Sequence, residues 1–123
     1  MCCLHKQRLE SLKKRQDFQR VYSQGKYVAD SLFVAYALAN DLQKNRLGLT
    51  VSKKVGCAVV RNRVKRWLKE SFRAKIGQAC GYDFVFIARA PSGLLAGRGA
   101  YAEVSNSIGG LFGRLGRKTG FKV

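Results

Sequence analysis

Between Val51 and Arg73 the chain reads VSKKVGCAVVRNRVKRWLKESFR, a stretch with eight basic residues and one acid, Glu70. The cations are Lys53, Lys54, Arg61, Arg63, Lys65, Arg66, Lys69 and Arg73, with Asn62 set among them. Ammonium and guanidinium groups at this density neutralise phosphates, and arginine adds a planar fork that can hold two oxygens at once. The chemistry indicated is the binding of a polyanion rather than bond making. The whole chain agrees: 24 Lys and Arg against 7 Asp and Glu give a formal charge of +17, which self-repels unless an anion compensates it.

Other chemistries find little support. The acids are Glu10, Asp17, Asp30, Asp41, Glu70, Asp83 and Glu103, widely spaced along the chain, whereas a two-metal nuclease needs several carboxylates converging on its ions. No catalytic residue is therefore expected in the protein. Cys2, Cys3, Cys57 and Cys80 form no CxxC pair, and the single histidine is His5. That pattern predicts free thiols rather than a zinc site of ordinary spacing; whether any other metal binds is not indicated.

The order of the cations carries more than their number. On an ideal helix, at about 100° per residue, Val60, Val64, Trp67, Leu68 and Phe72 fall on one arc and form a face to bury. Asn62, Lys65, Arg66, Lys69 and Arg73 fall on another, with Arg61 at its border and Arg63 beyond Glu70. A solvated surface helix would read similarly, but such helices are normally laced with i,i+4 ion pairs. Here Arg61, Lys65 and Lys69 repel one another by a few tenths of a kcal/mol per pair.

The remaining elements must carry this helix. Lys14 to Ser23 predicts a short helix in which Phe18, Val21 and Tyr22 recur at i, i+3, i+4, stopped by Gly25. Leu32 to Leu38 alternates as a strand, with a shorter strand near Tyr27. Asn40 to Asn45 reads as the turn of a hairpin into a strand over Arg46 to Ser52. Gly77 to Gly81 breaks the basic helix, Tyr82 to Ala88 reads as a buried strand, and Pro91 and Gly93 open a loop. A last helix spans about Ala100 to Leu115, weakened by Gly109, Gly110 and Gly113, with Arg117, Lys118 and Lys122 in a basic tail.

The order αβββαβα predicts an α+β fold, a two-layer sandwich of helices on a mostly antiparallel four-stranded sheet. One domain over residues 1–123 is expected, with tails at 1–10 and 117–123. An apolar fraction of 46% excludes a disordered basic arm. No apolar run approaches the roughly 18 residues of a membrane span, and MCCLHKQRLE lacks a signal-peptide core, so the expected address is the cytoplasm.

RLGLTVSKKVGCAVVRNRVKRWLKESFR, with LKKRQDFQRVYSQGK upstream and YDFVFIARA downstream, resembles the protein subunit of bacterial ribonuclease P over nearly the whole chain. The most specific part is VRNRVKR, Val60 to Arg66, directly after VSKKVG. The resemblance implies a protein that binds a catalytic RNA and helps it cleave the 5′ leader from precursor tRNA, with Mg²⁺ held mainly by the RNA and the scissile phosphate. It places Arg61, Asn62, Arg63, Lys65, Arg66 and Lys69 on the RNA, and Phe18, Tyr22 and Tyr36 in a cleft for the single-stranded leader. It also implies a left-handed βαβ crossover around the basic helix, and no obligate protein partner.

From periodicity alone the three aromatics serve core packing equally well. Lys69 stands where the family often has arginine and lacks the guanidinium fork. Two other functions fit a basic α+β domain: a structural ribosomal protein, and a helix-turn-helix DNA regulator reading bases through Arg61, Asn62 and Lys65. The regulator would need a short helix where the chain reads as strand.

Overall fold

The computed structural model describes residues 9–40, 44–75 and 81–120. The elements run β1 (Leu9–Ser11), α1 (Arg15–Gln24), β2 (Lys26–Ala29), β3 (Phe33–Ala39), β4 (Asn45–Thr50), α2 (Ala58–Lys75), β5 (Tyr82–Ala88), α3 (Ala90–Gly97) and α4 (Tyr101–Thr119). The class is α+β, as the element order predicts. Cys2, Cys3, His5 and Cys80, most of the Gly77 to Gly81 break and Lys122 lie outside the described residues.

Strand order is β1-β4-β5-β3-β2. β1 with β4 and β4 with β5 are parallel; β5 with β3 and β3 with β2 are antiparallel. The sheet thus has five strands and is mixed, where four mostly antiparallel strands were expected. The expected hairpin between β3 and β4 does not form, because β5 lies between them. The reason is burial: Asp83, Phe84, Val85 and Phe86 are successive buried residues, so β5 is covered on both faces and takes the sheet centre. β4 and β5 become neighbouring parallel strands, joined by a crossover through α2.

Three boundaries differ from expectation. Leu9 and Glu10 belong to β1 rather than to a tail, because β1 docks its backbone on β4, with Leu9 opposite Asn45. Arg117 and Lys118 complete the last turn of α4, where basic side chains oppose the negative end of the helix dipole. The loop expected at Pro91 is helix α3, since proline at the first helical turn gives up no hydrogen bond that an interior residue would make.

The sheet separates two packed layers. Phe33, Ala35, Ala37, Leu47, Phe84 and Phe86 face the larger core with α2, α3 and α4. Its centre is aromatic: the Phe72 and Phe84 rings lie 5.1 Å apart, Phe72 and Phe112 5.3 Å, and Phe84 and Phe112 5.5 Å. On the opposite face α1 covers a smaller cluster of Leu12, Val21 and Val85, with Phe18, Tyr36, Leu38 and Ile87 partly buried around it. A single helix about 10 Å wide cannot cover five strands spaced about 4.8 Å apart. Among the described residues, part of this face therefore stays open.

The glycines of α4 do not break it, because Val104, Ile108, Leu111, Phe112 and Leu115 are buried along its inner stripe. A Cβ at Gly110 would meet nothing within 4 Å. Gly110→Ala should therefore raise stability by about 0.5–1 kcal/mol through helix propensity, read as a higher urea midpoint at constant slope. A lower midpoint would contradict the open space.

Candidate nucleic-acid interface

α2 divides its faces as its periodicity requires. Val64, Trp67, Leu68 and Phe72 are buried, and Ser71 joins them. Trp67 packs edge-on to Tyr101 of α4 at 5.4 Å, and Ser71 Oγ lies 3.4 Å from the Tyr101 hydroxyl. This docking leaves Asn62, Arg66, Lys69 and Arg73 exposed and Arg61, Arg63 and Lys65 half-buried. Val60, expected among the buried residues, is half-buried at the start of the helix.

The cations have few internal partners. Arg66 Nε approaches Glu70 Oε1 only to 3.9 Å, with both side chains more than half exposed, a contact of little energetic weight. Arg61 Nε donates to the Gly56 carbonyl at 3.2 Å, and Arg63 Nη1 donates to the Ala96 carbonyl at 2.8 Å. These neutral acceptors orient the guanidiniums without cancelling their charge. Among the described residues, ion pairs involve Arg20, Lys44, Arg46 and Arg66 alone. Lys53, Lys54, Lys65, Lys69 and Arg73 pair with no carboxylate among the described residues.

α3 fixes the approach to this helix. Lys53 and Lys54 are exposed in the turn that precedes α2, and Val55 in the same turn is buried. A Cβ at Gly93 would lie 1.8 Å from the Val55 carbonyl oxygen, so α3 contacts the turn backbone at a distance only glycine permits. Together with the bond from Arg63 to Ala96, this seats the Lys53–Lys54 turn beside the first turn of α2. At that first turn the N–H groups of Val60 and Val59 hold the exposed Cys57 thiol below its ordinary range.

A second surface lies on the α1 side of the sheet. Cross-strand register sets Tyr27, Tyr36, Val85 and Gly48 in one row across β2, β3, β5 and β4. Phe18 of α1 settles on the far end of that row, where a Cβ at Gly48 would come within 2.6 Å of its ring. The Phe18 and Tyr22 rings are 6.3 Å apart, Tyr22 and Tyr36 5.1 Å, and Tyr36 and Tyr27 5.4 Å. Tyr22 also places its hydroxyl 3.4 Å from Thr50 Oγ1. The next row, Ala29, Val34, Ile87 and Thr50, is partly open to solvent.

Phe18, Tyr22 and Tyr36 thus come together as one connected strip, half-buried or exposed rather than sealed in the core. Tyr27 extends it, although its sequence context shows only a β-prone residue. Its membership follows from the pairing of β2 with β3, which no local pattern reveals.

α1 is anchored over the sheet by an acid that sequence reasoning leaves aside. Asp83 on β5 has a fully buried side chain. It accepts from Arg46 Nε at 2.7 Å and Arg46 Nη2 at 2.6 Å, from Asn40 Nδ2 at 2.8 Å and from Arg20 Nη2 at 2.9 Å. Burial alone would push its carboxyl up; hydrogen bonds from Arg46 and Asn40, the Arg46 charge and the Arg20 bond together hold it below the usual carboxylate range. The Arg46 guanidinium is correspondingly held more firmly charged. Arg20 belongs to α1, so this cluster ties the helix to β4 and β5 beside the aromatic strip.

Among the described residues no three His, Cys, Asp or Glu side chains gather where they could hold a metal ion, and the best-buried carboxylate is spent on arginines. No described helix is long and apolar enough to cross a membrane. The element before α2 is strand β4 and a turn, so the helix-turn-helix arrangement is not formed.

Residues 7–116 match the family model described as Ribonuclease P. The chain belongs to the ribonuclease P protein family. It is 55% identical over 87 residues to the ribonuclease P protein component of Caldanaerobacter subterraneus, covering 68% of this chain and 73% of that one. With the ribonuclease P protein component of Clostridium kluyveri it shares 45% identity over 108 residues, 85% of this chain and 93% of the relative. The solved RNase P protein of Staphylococcus aureus is similar at a TM-score of 0.74 and 36% identity, covering 82% of this chain and 90% of that structure. The Thermotoga maritima RNase P protein gives a TM-score of 0.75 at 33% identity, covering 85% and 96%.

The chain is accordingly a protein subunit of the ribonuclease P ribonucleoprotein, which acts in tRNA 5′ processing, and the endonucleolytic step belongs to the RNA. That finding decides against the ribosomal reading, which composition alone leaves standing. Ribonuclease P is a metal-dependent endoribonuclease whose protein component partners an RNA subunit.

Proposed function

We propose that α2 and the preceding turn bind the catalytic RNA of ribonuclease P, and that the aromatic strip on the α1 side holds the 5′ leader of precursor tRNA. The observation that carries the first part is that Arg61, Asn62, Arg63, Lys65, Arg66, Lys69 and Arg73 of α2 make a single distant carboxylate contact among the described residues. Lys53 and Lys54 extend it. Phosphate oxygens supply the missing counter-charge, and the anchored guanidiniums of Arg61 and Arg63 meet them with little further loss of side-chain freedom.

The second part rests on Phe18, Tyr22 and Tyr36. Unpaired leader bases stack on such rings whatever their sequence, because every base has a π-face. Mg²⁺ fits best on the RNA and the scissile phosphate, since the carboxylates described do not cluster to hold it. The products are a leader fragment and a tRNA with a 5′-phosphate. The working place of such a subunit is the cytoplasm.

Reconstitution tests this reading. Added to its catalytic RNA, the chain should restore leader removal at Mg²⁺ too low for the RNA alone. Arg61→Ala and Arg66→Ala should each weaken assembly and flatten the dependence of log affinity on log salt by about one unit. Filter binding across a salt series measures this; unchanged slopes would remove those residues from the interface.

A further inference from the structure

The end of the aromatic row at strand β2 combines features that neither core packing nor the α2 face requires. Tyr27 stacks on Tyr36 with the ring planes 29° apart, yet it is 55% exposed, more than Tyr22 at 38%. A ring so open contributes little to the core. Around it stand cations delivered from the opposite layer of the sandwich. Lys118, in the last turn of α4, donates to the Tyr27 carbonyl at 2.9 Å, and its Nζ lies 5.6 Å from the Tyr27 ring centre. Arg114, one turn earlier, donates to the Ala29 carbonyl at 2.9 Å.

These bonds reach β2 on the edge where, among the described residues, no further strand pairs. They satisfy the outward carbonyls and blunt the edge against strand addition. Their charge remains available. Neither cation is paired with a carboxylate among the described residues. Each uses one proton on a neutral carbonyl and has further N–H groups to offer. An exposed ring continuing an aromatic row, flanked by two cations held in place, meets the two demands of a nucleotide: a surface for the base and a charge for the phosphate.

We propose that Tyr27, Lys118 and Arg114 form an additional nucleotide subsite at the β2 edge, which takes the leader nucleotide adjacent to the one on Tyr36. Tyr27 stacks the base, and Lys118 and Arg114 hold its phosphate. The C-terminal turn of α4 thereby becomes part of the substrate surface. This rests on the reading of the Phe18–Tyr36 strip as the leader cleft and extends it to a group of residues drawn from both layers of the fold.

The test uses holoenzyme reconstituted with the catalytic RNA, and precursor tRNAs whose leaders are shortened one nucleotide at a time down to mature tRNA. Tyr27→Ala should weaken binding about tenfold, and only for leaders above a threshold length. That threshold should differ by one nucleotide from the one found with Tyr36→Ala. Tyr27→Phe should bind as the parent does, and Lys118→Ala should flatten the salt dependence for the same leaders and no others. If Tyr27→Ala and Lys118→Ala leave every leader unaffected while Tyr36→Ala still discriminates, the added subsite is wrong and the cleft stands. If Tyr36→Ala also fails to discriminate, both are wrong. A loss equal for all lengths, mature tRNA included, overturns the subsite as well.

Discussion

Asp83→Ala should lower folding stability by about 3–5 kcal/mol, the expected cost of breaking a buried ion pair from one side. The carboxylate is fully buried and accepts four hydrogen bonds from Arg46, Asn40 and Arg20. Its removal leaves Arg46, whose side chain is 18% exposed, without its principal counter-charge. Arg20 would keep only the 3.9 Å approach to Asp17, so α1 would lose its ion pair to β5 and keep only the 3.5 Å pair of Asp17 with Arg46 as a charged tie to β4. Urea denaturation measures the loss, and a change below about 0.5 kcal/mol, the ordinary range for a surface site, would show that the cluster contributes nothing.

The same cluster gives stability a pH dependence. Because the folded carboxyl is held below its unfolded value, the unfolded chain binds more protons as pH falls. The contribution of Asp83 is therefore complete above the unfolded value of about 3.9 and disappears as pH drops through the folded one. The stability difference between the parent and Asp83→Asn should be constant from pH 7 to 5 and narrow below about pH 4. A difference that stays constant to pH 3 would mean that the carboxyl is not held down.

Tyr36→Ala and Phe18→Ala should weaken binding of leader-bearing precursor by the holoenzyme by about 1–3 kcal/mol each, roughly 5- to 150-fold, while mature tRNA is bound as before. Comparing the two ligands matters because Phe18 also packs on Gly48 and against the Leu12, Val21 and Val85 cluster. Loss of that packing destabilises the protein and lowers both affinities together, whereas loss of a stacked base affects the precursor alone. Equal losses for both ligands would assign these rings to the core.

The two surfaces face different sides of the sheet for a structural reason. α2 must bury Val64, Trp67, Leu68 and Phe72 in the larger core, which turns its cationic face outward on that side. Among the described residues the opposite face has only α1 to cover it, so Tyr22, Tyr27 and Tyr36 retain solvent access. On the proposed reading, one thin sheet contacts a ribozyme through one layer and a substrate strand through the other. Where Lys118 and Arg114 reach round the β2 edge, the layers meet.

Much of this protein is written in its local patterns. The inner and outer faces of α2 follow from a 3.6-residue period between Val60 and Arg73, and the extent of β5 from a run of apolar residues. The dearth of acids near the cations needs no structure to be seen. These properties depend on residues within one or two turns of each other.

Other features required the folded chain. The partners of the buried Asp83 stand 37, 43 and 63 residues away, and a strand that reads as buried shows that this acid needs partners without showing which residues they are. β3 and β4 alternate in a way that suits pairing with each other; only the doubly buried β5 determines that they are separated. Tyr27 joins the aromatic row because β2 pairs with β3 in one register, and Gly93 is required because the Val55 carbonyl arrives from another element. Periodicity reports which side of an element is apolar, because that is a property of neighbours in sequence. Which element covers that side, and which charge meets which, is decided by contacts across the chain that form only when the whole core packs.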